Sequence, residues 1–279
     1  MNADVAMTFD VRAIDVAVLS CDSTGIEVVN RLAGMPEVGR LMLATAPYTR
    51  RRRPPLKKLR RLLKYEGPPG LARAIGRRLK AVAGQSERTR SNTIGSIASI
   101  VPSRVRHVHV ADLHGDTCVA ALREFAPTLG VVVGTYILQP SIFEIPTLGM
   151  INLHSGKAPQ YRGSAPVFWE LYNGETEVGI TIHWVESALD AGHIIRQQTF
   201  PLDSAPEGDP LNYIERYRRE VLGPNGIRLL LDAVGHVAAA GRVGTPQDSA
   251  HAATYPLPDY RTVRELRKRV KERQRQVRA

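Results

Sequence analysis

The chain has 279 residues, of which 43% are hydrophobic, so it is long enough for one large domain with a substantial core. Its two cysteines, Cys21 and Cys118, lie in or beside apolar runs without a metal-type spacing, and we expect reduced structural thiols. The sequence has neither an apolar run of about 18 residues, which a membrane span needs, nor a start typical of a signal peptide. We therefore expect a cytoplasmic protein.

The net charge of +11 is concentrated in two segments. Residues 50–80 hold thirteen Lys or Arg and one acid, and residues 261–278 hold nine Lys or Arg and two acids, which leaves −8 on the rest of the chain. Such segments fit RNA, a phosphorylated substrate or an anionic membrane surface, where the protein would be peripheral at the inner face. A solvated helical excursion packed on the body is an equally good interpretation of the first segment. The oligomeric state is left open.

The first predicted elements are a strand, a helix and a second strand. A buried strand is predicted over Asp15–Ser20, a helix over Ile26–Ala33 and a strand over Arg40–Thr45. This βαβ opening is typical of α/β proteins. It lacks the G-x-G-x-x-G motif, so a dinucleotide site of the usual type is not supported.

The stretch from 48 to about 91 interrupts this alternation. Its apolar residues recur every three and four positions with Lys and Arg between them, which predicts two short basic amphipathic helices. The Gly-Pro-Pro-Gly run at 67–70 is predicted to separate them.

Another strand is predicted over Val105–Val110, with His107 and His109 on one face. Because no acid or cysteine spacing accompanies these histidines, we expect structural or solvent-facing side chains and no metal site. A helix that ends at Phe125 and a buried strand over Leu129–Val133 follow.

Three polar residues carry the predicted chemistry. Asn152 and His154 are two apart on a predicted strand, so their side chains point the same way, and a later loop carries Asp190. An amide, an imidazole and a carboxylate at one place suit acyl transfer to an amine. The alternative is a buried strand with a satisfied His154 and an exposed loop aspartate.

The surrounding residues decide between these interpretations. The chain reads N-L-H, then P-x-Y-R-G-x-A-P, then W-x-L-x-N-G-E-T-E-x-G-I-T-I-H, then L-D-A-G-x-I-I. It resembles the 10-formyltetrahydrofolate-dependent formyltransferase family from about Val131 to Leu202, without a gap. After His154 the family often has S-L-L-P, whereas this chain has G-K-A-P and keeps only Pro159.

The resemblance implies an α/β fold with a doubly wound, mostly parallel twisted sheet, here with a basic helical insertion and a basic helical C-terminal tail. It implies N10-formyltetrahydrofolate as formyl donor and a primary amine as acceptor. By resemblance, Asn152 and a protonated His154 stabilise the tetrahedral oxyanion, and Asp190 holds His154 and helps to move the proton.

Two further groups of residues follow from the same resemblance. The cofactor-binding residues are expected to be Tyr136, Ile137 and Leu138 after a strand, with Ala188 and Leu189 just before the aspartate. The acceptor-binding residues are expected to be Lys157, Tyr161, Arg162 and Gly163, with Arg162 as a contact for a phosphate or carboxylate.

The domain organisation follows from where the resemblance ends. Residues 1–204 are expected to form the catalytic domain with its insertion at about 48–91, and 205–279 a helical C-terminal extension. The extension ends in a basic helix over Thr262–Arg275 and leaves no room for the β-barrel domain of the tRNA enzymes.

The acceptor is first expected to be an amino sugar on a nucleotide or lipid carrier. Three alternatives stay open: a methionyl-tRNA or other RNA-directed formyltransferase, a formyltetrahydrofolate hydrolase, and a folate- or RNA-binding protein.

Overall fold

The computed structural model of the protein describes residues 13–48, 60, 63–65, 67–69, 71–72 and 100–278. In chain order its strands are β1 Ile14–Ser20, β2 Val38–Thr45, β3 Val105–His109, β4 Leu129–Val133, β5 Met150–His154, β6 Arg162–Gly163, β7 Glu177–Trp184, β8 Ile194–Pro201 and β9 Thr254–Tyr255. The α-helices are α1 Thr24–Leu32, α2 Asp116–Phe125, α3 Pro140–Phe143, α4 Phe168–Asn173, α5 Pro210–Tyr217, α6 Gly223–Ala240 and α7 Tyr260–Arg278. A π-helical turn, Arg218–Leu222, joins α5 to α6, and a 3₁₀ turn spans Ser249–His251.

Seven strands form one sheet in the order β3–β2–β1–β4–β5–β7–β8. The strands from β3 to β5 are parallel, and β7 and β8 extend the β5 edge in antiparallel fashion. The chain first moves outward from β1 to β3 and then returns to β4 on the other side of β1. This reversal of direction makes the sheet doubly wound, as predicted.

Both faces of the sheet are covered by helices, because alternate strand residues point to opposite sides. Val16 and Val18 of β1 belong to an apolar cluster that includes residues of α1 and α6. Ala17 and Leu19 belong to a second cluster with α2 and α3. A strand buried on both faces reads as a continuous apolar run, which explains why β1 and β4 were predictable from sequence.

The helices after residue 205 share the core of the sheet. Ile214 of α5, Leu230 of α6, and Leu266 and Val270 of α7 all belong to the first apolar cluster. The short strand β9 pairs in parallel with β6 and brings the C-terminal part beside the segment that follows β5. The boundary at 204 remains a prediction.

Some predicted boundaries shift. Strand β2 begins at Val38, two residues before the predicted start, and α7 extends past both predicted ends. In the basic insertion, the described residues are helical, including Gly67–Pro69, which was predicted to separate two helices. Gly67 has a φ of 65° and packs against the ring of Tyr260. The rest of the predicted helix pair, and most of Arg50–Lys80, lies outside the described residues.

The histidines of β3 have an ordinary structural partner. His107 Nε2 and His109 Nδ1 lie 2.9 Å and 3.0 Å from the hydroxyl of Thr45. Among the residues that the structure describes, no three His, Cys, Asp or Glu side chains group as a metal site. No described helix combines the length and apolar character that a bilayer crossing requires.

Candidate active site

His154 is the last residue of β5, at the carboxyl end of a strand in the middle of the sheet. Its side chain is buried, with 9% exposed. Its Nε2 donates a hydrogen bond to the carbonyl oxygen of Tyr161 at 2.6 Å, because a carbonyl can only accept. The other ring nitrogen, Nδ1, faces Asp190 Oδ2 at 3.5 Å.

Asp190 is also buried, with 9% of its side chain exposed, and joins three groups. The backbone N–H of Gly163 donates to its Oδ2 at 2.8 Å, and His183 Nε2 lies 3.5 Å from its Oδ1. Burial raises the pKa of Asp190, but the two neighbouring histidine rings, His183 and His154, and the hydrogen bond from the Gly163 N–H together lower it. At neutral pH the side chain is therefore a carboxylate.

Asn152 reaches this carboxylate by way of His183. The two residues face each other across the antiparallel β5–β7 pair, and Asn152 Nδ2 donates to His183 Nε2 at 3.3 Å. His183 Nδ1 donates to the carbonyl of Trp184 at 2.8 Å, which leaves Nε2 as the acceptor. His183 is buried within this polar cluster because the β5–β7 register places it opposite Asn152.

Burial lowers the pKa of His154 below its ordinary value, although the Asp190 charge and the Tyr161 carbonyl oppose this. The imidazole is therefore neutral at pH 7. The protonated His154 that is expected to stabilise the oxyanion during the reaction stays a prediction. A neutral ring with its hydrogen on Nε2 has a free lone pair on Nδ1, directed towards Asp190.

The segment after His154 is held by buried hydrogen bonds. The Thr181 hydroxyl donates to the Gly156 carbonyl at 2.7 Å and accepts from the Ala158 N–H at 3.1 Å. Gln197 Nε2 donates to Thr181 and to the Ala158 carbonyl. These contacts fix the path between β5 and β6, and no local sequence pattern indicated Thr181 or Gln197.

The predicted acceptor-binding side chains each have a protein partner. Lys157 forms an ion pair with Glu177, and the Tyr161 hydroxyl donates to Glu175 at 2.7 Å. Arg162 donates from two nitrogens to Gln247 Oε1 at 3.0 Å and 2.7 Å.

Gln247 links Arg162 to the aspartate loop. Its Nε2 donates to the carbonyls of Asp190 and Gly192 at 2.9 Å and 2.7 Å. Through Gln247, Arg162 therefore stabilises the loop that carries Asp190, a role that the sequence motif did not indicate. Gln247 is far from the motif in the chain, so local patterns could not identify it.

The predicted cofactor residues lie on two loops. Tyr136, after β4, donates to Asp112 Oδ1 at 2.5 Å, and Leu138 is buried in the second apolar cluster. Ile137 is 72% exposed and Leu189 42% exposed, so each of the two loops presents one large apolar side chain to solvent.

Ala188 lines a cavity of about 580 Å³. Its walls combine apolar side chains, among them Phe143 and Val185, with the cation Arg242 and two acidic residues, Glu144 and Glu186. Val185 also packs on the apolar cluster that contains Leu138, so both loops contact the same cluster.

Comparisons with known proteins agree with this fold. A sugar N-formyltransferase from Shewanella sp FDAARGOS_354 superimposes with a TM-score of 0.54 at 16% identity, covering 88% of this chain and 77% of that one. The fold is therefore that of a formyltransferase-type α/β protein. The model of the formyl transferase family matches residues 79–219, half of the chain. The chain belongs to the formyl transferase family, which confirms the resemblance carried by the motifs.

Curated relatives are also similar in sequence. A methionyl-tRNA formyltransferase from Synechococcus sp. (strain JA-3-3Ab) is 34% identical over 139 residues, covering 50% of this chain and 41% of that protein. One from Moorella thermoacetica (strain ATCC 39073 / JCM 9320) is 33% identical over 195 residues, covering 66% of this chain and 59% of that protein. The chain thus matches between about two fifths and three fifths of the length of these relatives.

Proposed function

We propose that this chain transfers the formyl group of N10-formyltetrahydrofolate to a primary amine. One observation carries the proposal: a chain of the formyl transferase family brings His154, Asp190, Asn152 and His183 together in one cluster at the carboxyl end of β5. Carboxyl ends of strands are where open α/β sheets bind ligands.

In the proposed reaction the amine nitrogen attacks the formyl carbon, and the bond from that carbon to N10 then breaks. One hydrogen of the Asn152 amide binds His183, and the second is free to donate to the developing oxyanion. The nitrogen of the adduct must lose a proton, and N10 of the departing tetrahydrofolate must gain one. His154 Nδ1 carries that proton, and the Asp190 carboxylate stabilises the imidazolium while it does so.

The formyl donor is proposed to bind between the loop after β4 and the loop before Asp190. Ile137 and Leu189 offer exposed apolar surface there, and Leu138 and Val185 form the apolar cluster beneath. Flat aromatic rings such as those of a folate bind to surfaces of this kind.

The acceptor is proposed to be an amino sugar on a nucleotide or lipid carrier. The similarity to the Shewanella sugar N-formyltransferase covers most of both chains, whereas the tRNA enzymes are matched over a smaller share of their length. A phosphorylated carrier also suits a chain with a net charge of +11.

A second candidate is an RNA acceptor. The curated relatives named above act, by their names, on methionyl-tRNA, and residues 50–80 carry a charge of +12. A basic segment of that size binds polyanions in a salt-dependent way.

The experiment is an absorbance assay for tetrahydrofolate production with purified protein and N10-formyltetrahydrofolate. Nucleotide-linked amino sugars, charged initiator tRNA and no acceptor are compared. Turnover only with an amino sugar supports the first acceptor, and turnover only with tRNA supports the second. Equal turnover without acceptor shows a hydrolase. No turnover and no folate binding would overturn the proposal.

A further inference from the structure

Glu170 is a buried carboxylate that the reaction proposed above does not use. It lies on α4 and is 1% exposed. Neither of its carboxylate oxygens has a hydrogen-bond partner in the structure. The amide oxygen of Gln160 is likewise buried without a partner. Among the described residues, these three are the buried side-chain oxygen or nitrogen atoms that lack a hydrogen-bond partner. All three are acceptors, so what is missing around them is a donor.

Glu170 lines a narrow cavity together with His154. The other walls include Tyr161, Trp169 and Tyr255. The rings of Tyr161 and Tyr255 stack with centroids 5.1 Å apart, and Trp169 lies 5.1 Å from Tyr255. The cavity has room for about one water-sized group, which is also the size of an ammonium group. Aromatic walls are favourable neighbours for an organic cation.

Burial raises the pKa of Glu170 to about 7, and the charge of Glu175 adds to this rise. The backbone N–H groups of Glu170 and Val167 lower it in part, without reaching hydrogen-bond geometry to the carboxylate. The carboxyl group therefore exchanges its proton near neutral pH. The titratable and charged side chains around it, on the cavity wall or on packed elements, are His154, Tyr161, Arg162, Glu175, Tyr217, Tyr255, Arg269 and Arg273.

Arg162, the cation on the cavity wall, already has a hydrogen-bond partner. Arg162 donates two hydrogen bonds to Gln247, as described above. Arg269 and Arg273 of α7 donate to the backbone carbonyls of Tyr172 and Leu171. A cation from outside the chain is therefore the natural partner for the buried carboxylate.

We propose that Glu170 binds the ammonium group of the acceptor and takes one proton from it. The proposal rests on the proposed function. An ammonium nitrogen has no lone pair, so one N–H bond must break before the nitrogen can attack the formyl carbon. The electron pair of that bond stays on nitrogen, and the proton forms an O–H bond with Glu170 and later passes to water. The second proton, lost after attack, is the one that His154 carries.

The first test observes the carboxylate directly and needs no identified acceptor. Protein labelled with ¹³C at the glutamate side-chain carboxyl is titrated with methylammonium chloride, and Glu170→Gln assigns the Glu170 resonance. We expect a saturable shift with methylammonium and none with tetramethylammonium, which has the charge but no N–H. No shift, or the same shift with both cations, would overturn the proposal.

The second test uses whichever acceptor gives turnover in the assay above. Glu170→Gln keeps the shape of the side chain, and we expect kcat/KM for the acceptor to fall about tenfold or more. The part of the acidic decline of kcat/KM that protonation of Glu170 causes should disappear in the variant, which leaves the decline caused by His154 at lower pH. The matched control is Glu215→Gln, which changes an exposed carboxylate on α5 and should leave both unchanged.

The two tests separate the two proposals. If no acceptor gives turnover and no folate binds, the proposed function fails, and the methylammonium titration still decides whether Glu170 binds an amine. If turnover is normal and Glu170→Gln retains both its rate and its pH profile, the role of Glu170 is wrong and the proposed function stands.

Discussion

Asp190 contacts more of the candidate site than any other residue described above. It accepts from Gly163, lies 3.5 Å from each of two histidine rings, and is held at a φ of 50°. A left-handed conformation costs an L-residue about 1–2 kcal/mol, although aspartate tolerates it better than most. The surrounding hydrogen bonds of Gln247 offset that cost by fixing the loop.

Asp190→Asn tests the charge of this residue separately from its shape. The amide can still accept from Gly163 and tolerate the backbone conformation, but it cannot stabilise an imidazolium. We expect turnover to fall about a hundredfold or more, while the thermal midpoint stays close to that of the wild type. Asp232→Asn, which removes an exposed partner of Arg196, is the matched control and should retain its rate. Near-normal turnover in Asp190→Asn would refute the proposed proton path.

The buried neutral imidazole of His154 predicts a pH dependence of stability. Because its pKa is lowered in the folded state, the unfolded chain takes up a proton first as pH falls below about 6.5. The contribution of the neutral His154 ring to the free energy of unfolding is therefore complete above that pH and is lost as pH falls through the pKa of the folded state. Urea unfolding at about pH 7.5 and about pH 5.5 should show a smaller loss in His154→Gln than in the wild type, by up to about 1 kcal/mol. Equal losses would contradict this.

The turn from β5 to β6 depends on the absence of one side chain, that of Gly156. A Cβ on Gly156 would lie 2.3 Å from the Tyr161 carbonyl oxygen and 2.4 Å from His154 Nε2, which form the hydrogen bond that orients the ring. This position departs from the family's S-L-L-P pattern, so the close approach belongs to this chain's own turn.

Gly156→Ala should therefore push Tyr161 and His154 apart. We expect a loss of stability of about 1–3 kcal/mol and a fall in turnover of at least about tenfold. Gly235→Ala on α6 is the control, since a Cβ there meets only Met35 at 3.7 Å and should stabilise the helix by about 0.5–1 kcal/mol. Urea unfolding and turnover of both variants check the pair, and equal behaviour would show that the Gly156 contact does not matter.

The helices and strands could be predicted from the sequence better than the hydrogen bonds of the candidate site, for physical reasons. Leu129–Val133 was identified as a strand because it is buried on both faces and reads as an apolar run. His183 and Gln247 reach the site only through pairings distant in the chain, which no local period encodes. Glu170 lies on the short helix α4. That its carboxylate lacks a hydrogen-bond partner depends on how α4 packs against the rest of the protein, which no local pattern encodes.

The basic C-terminal helix α7 is part of the core as well as a charged surface. Leu266 and Val270 are buried at 0% and 1% exposure, Arg269 lies 4.0 Å from the ring centroid of Tyr172, and Arg273 donates to carbonyls of Leu171 and Ser204. Helix α7 therefore supports α4, which carries Glu170 and Trp169.

Leu266→Ala should destabilise the protein by about 3 kcal/mol, because it leaves a cavity under α7. Val277→Ala, on the same helix but 80% exposed, should change the free energy of unfolding by less than about 0.5 kcal/mol. Urea denaturation of both variants makes the comparison. Equal small effects would mean that α7 contributes charge and little stability.

The pairing of β9 with β6 has a consequence for how such a protein can diversify. Tyr255, from the far end of the chain, supplies one wall of the cavity beside His154, while the catalytic strand supplies the other. Most of that cavity, including Tyr161, Trp169 and Glu170, is encoded beside His154 itself, and only the Tyr255 wall comes from a distant stretch of the gene. Substitutions around 252–258 can therefore reshape one wall of the cavity without changing His154, Asn152 or Asp190, which gives variants of this protein a route to new shapes that leaves the central cluster as it is.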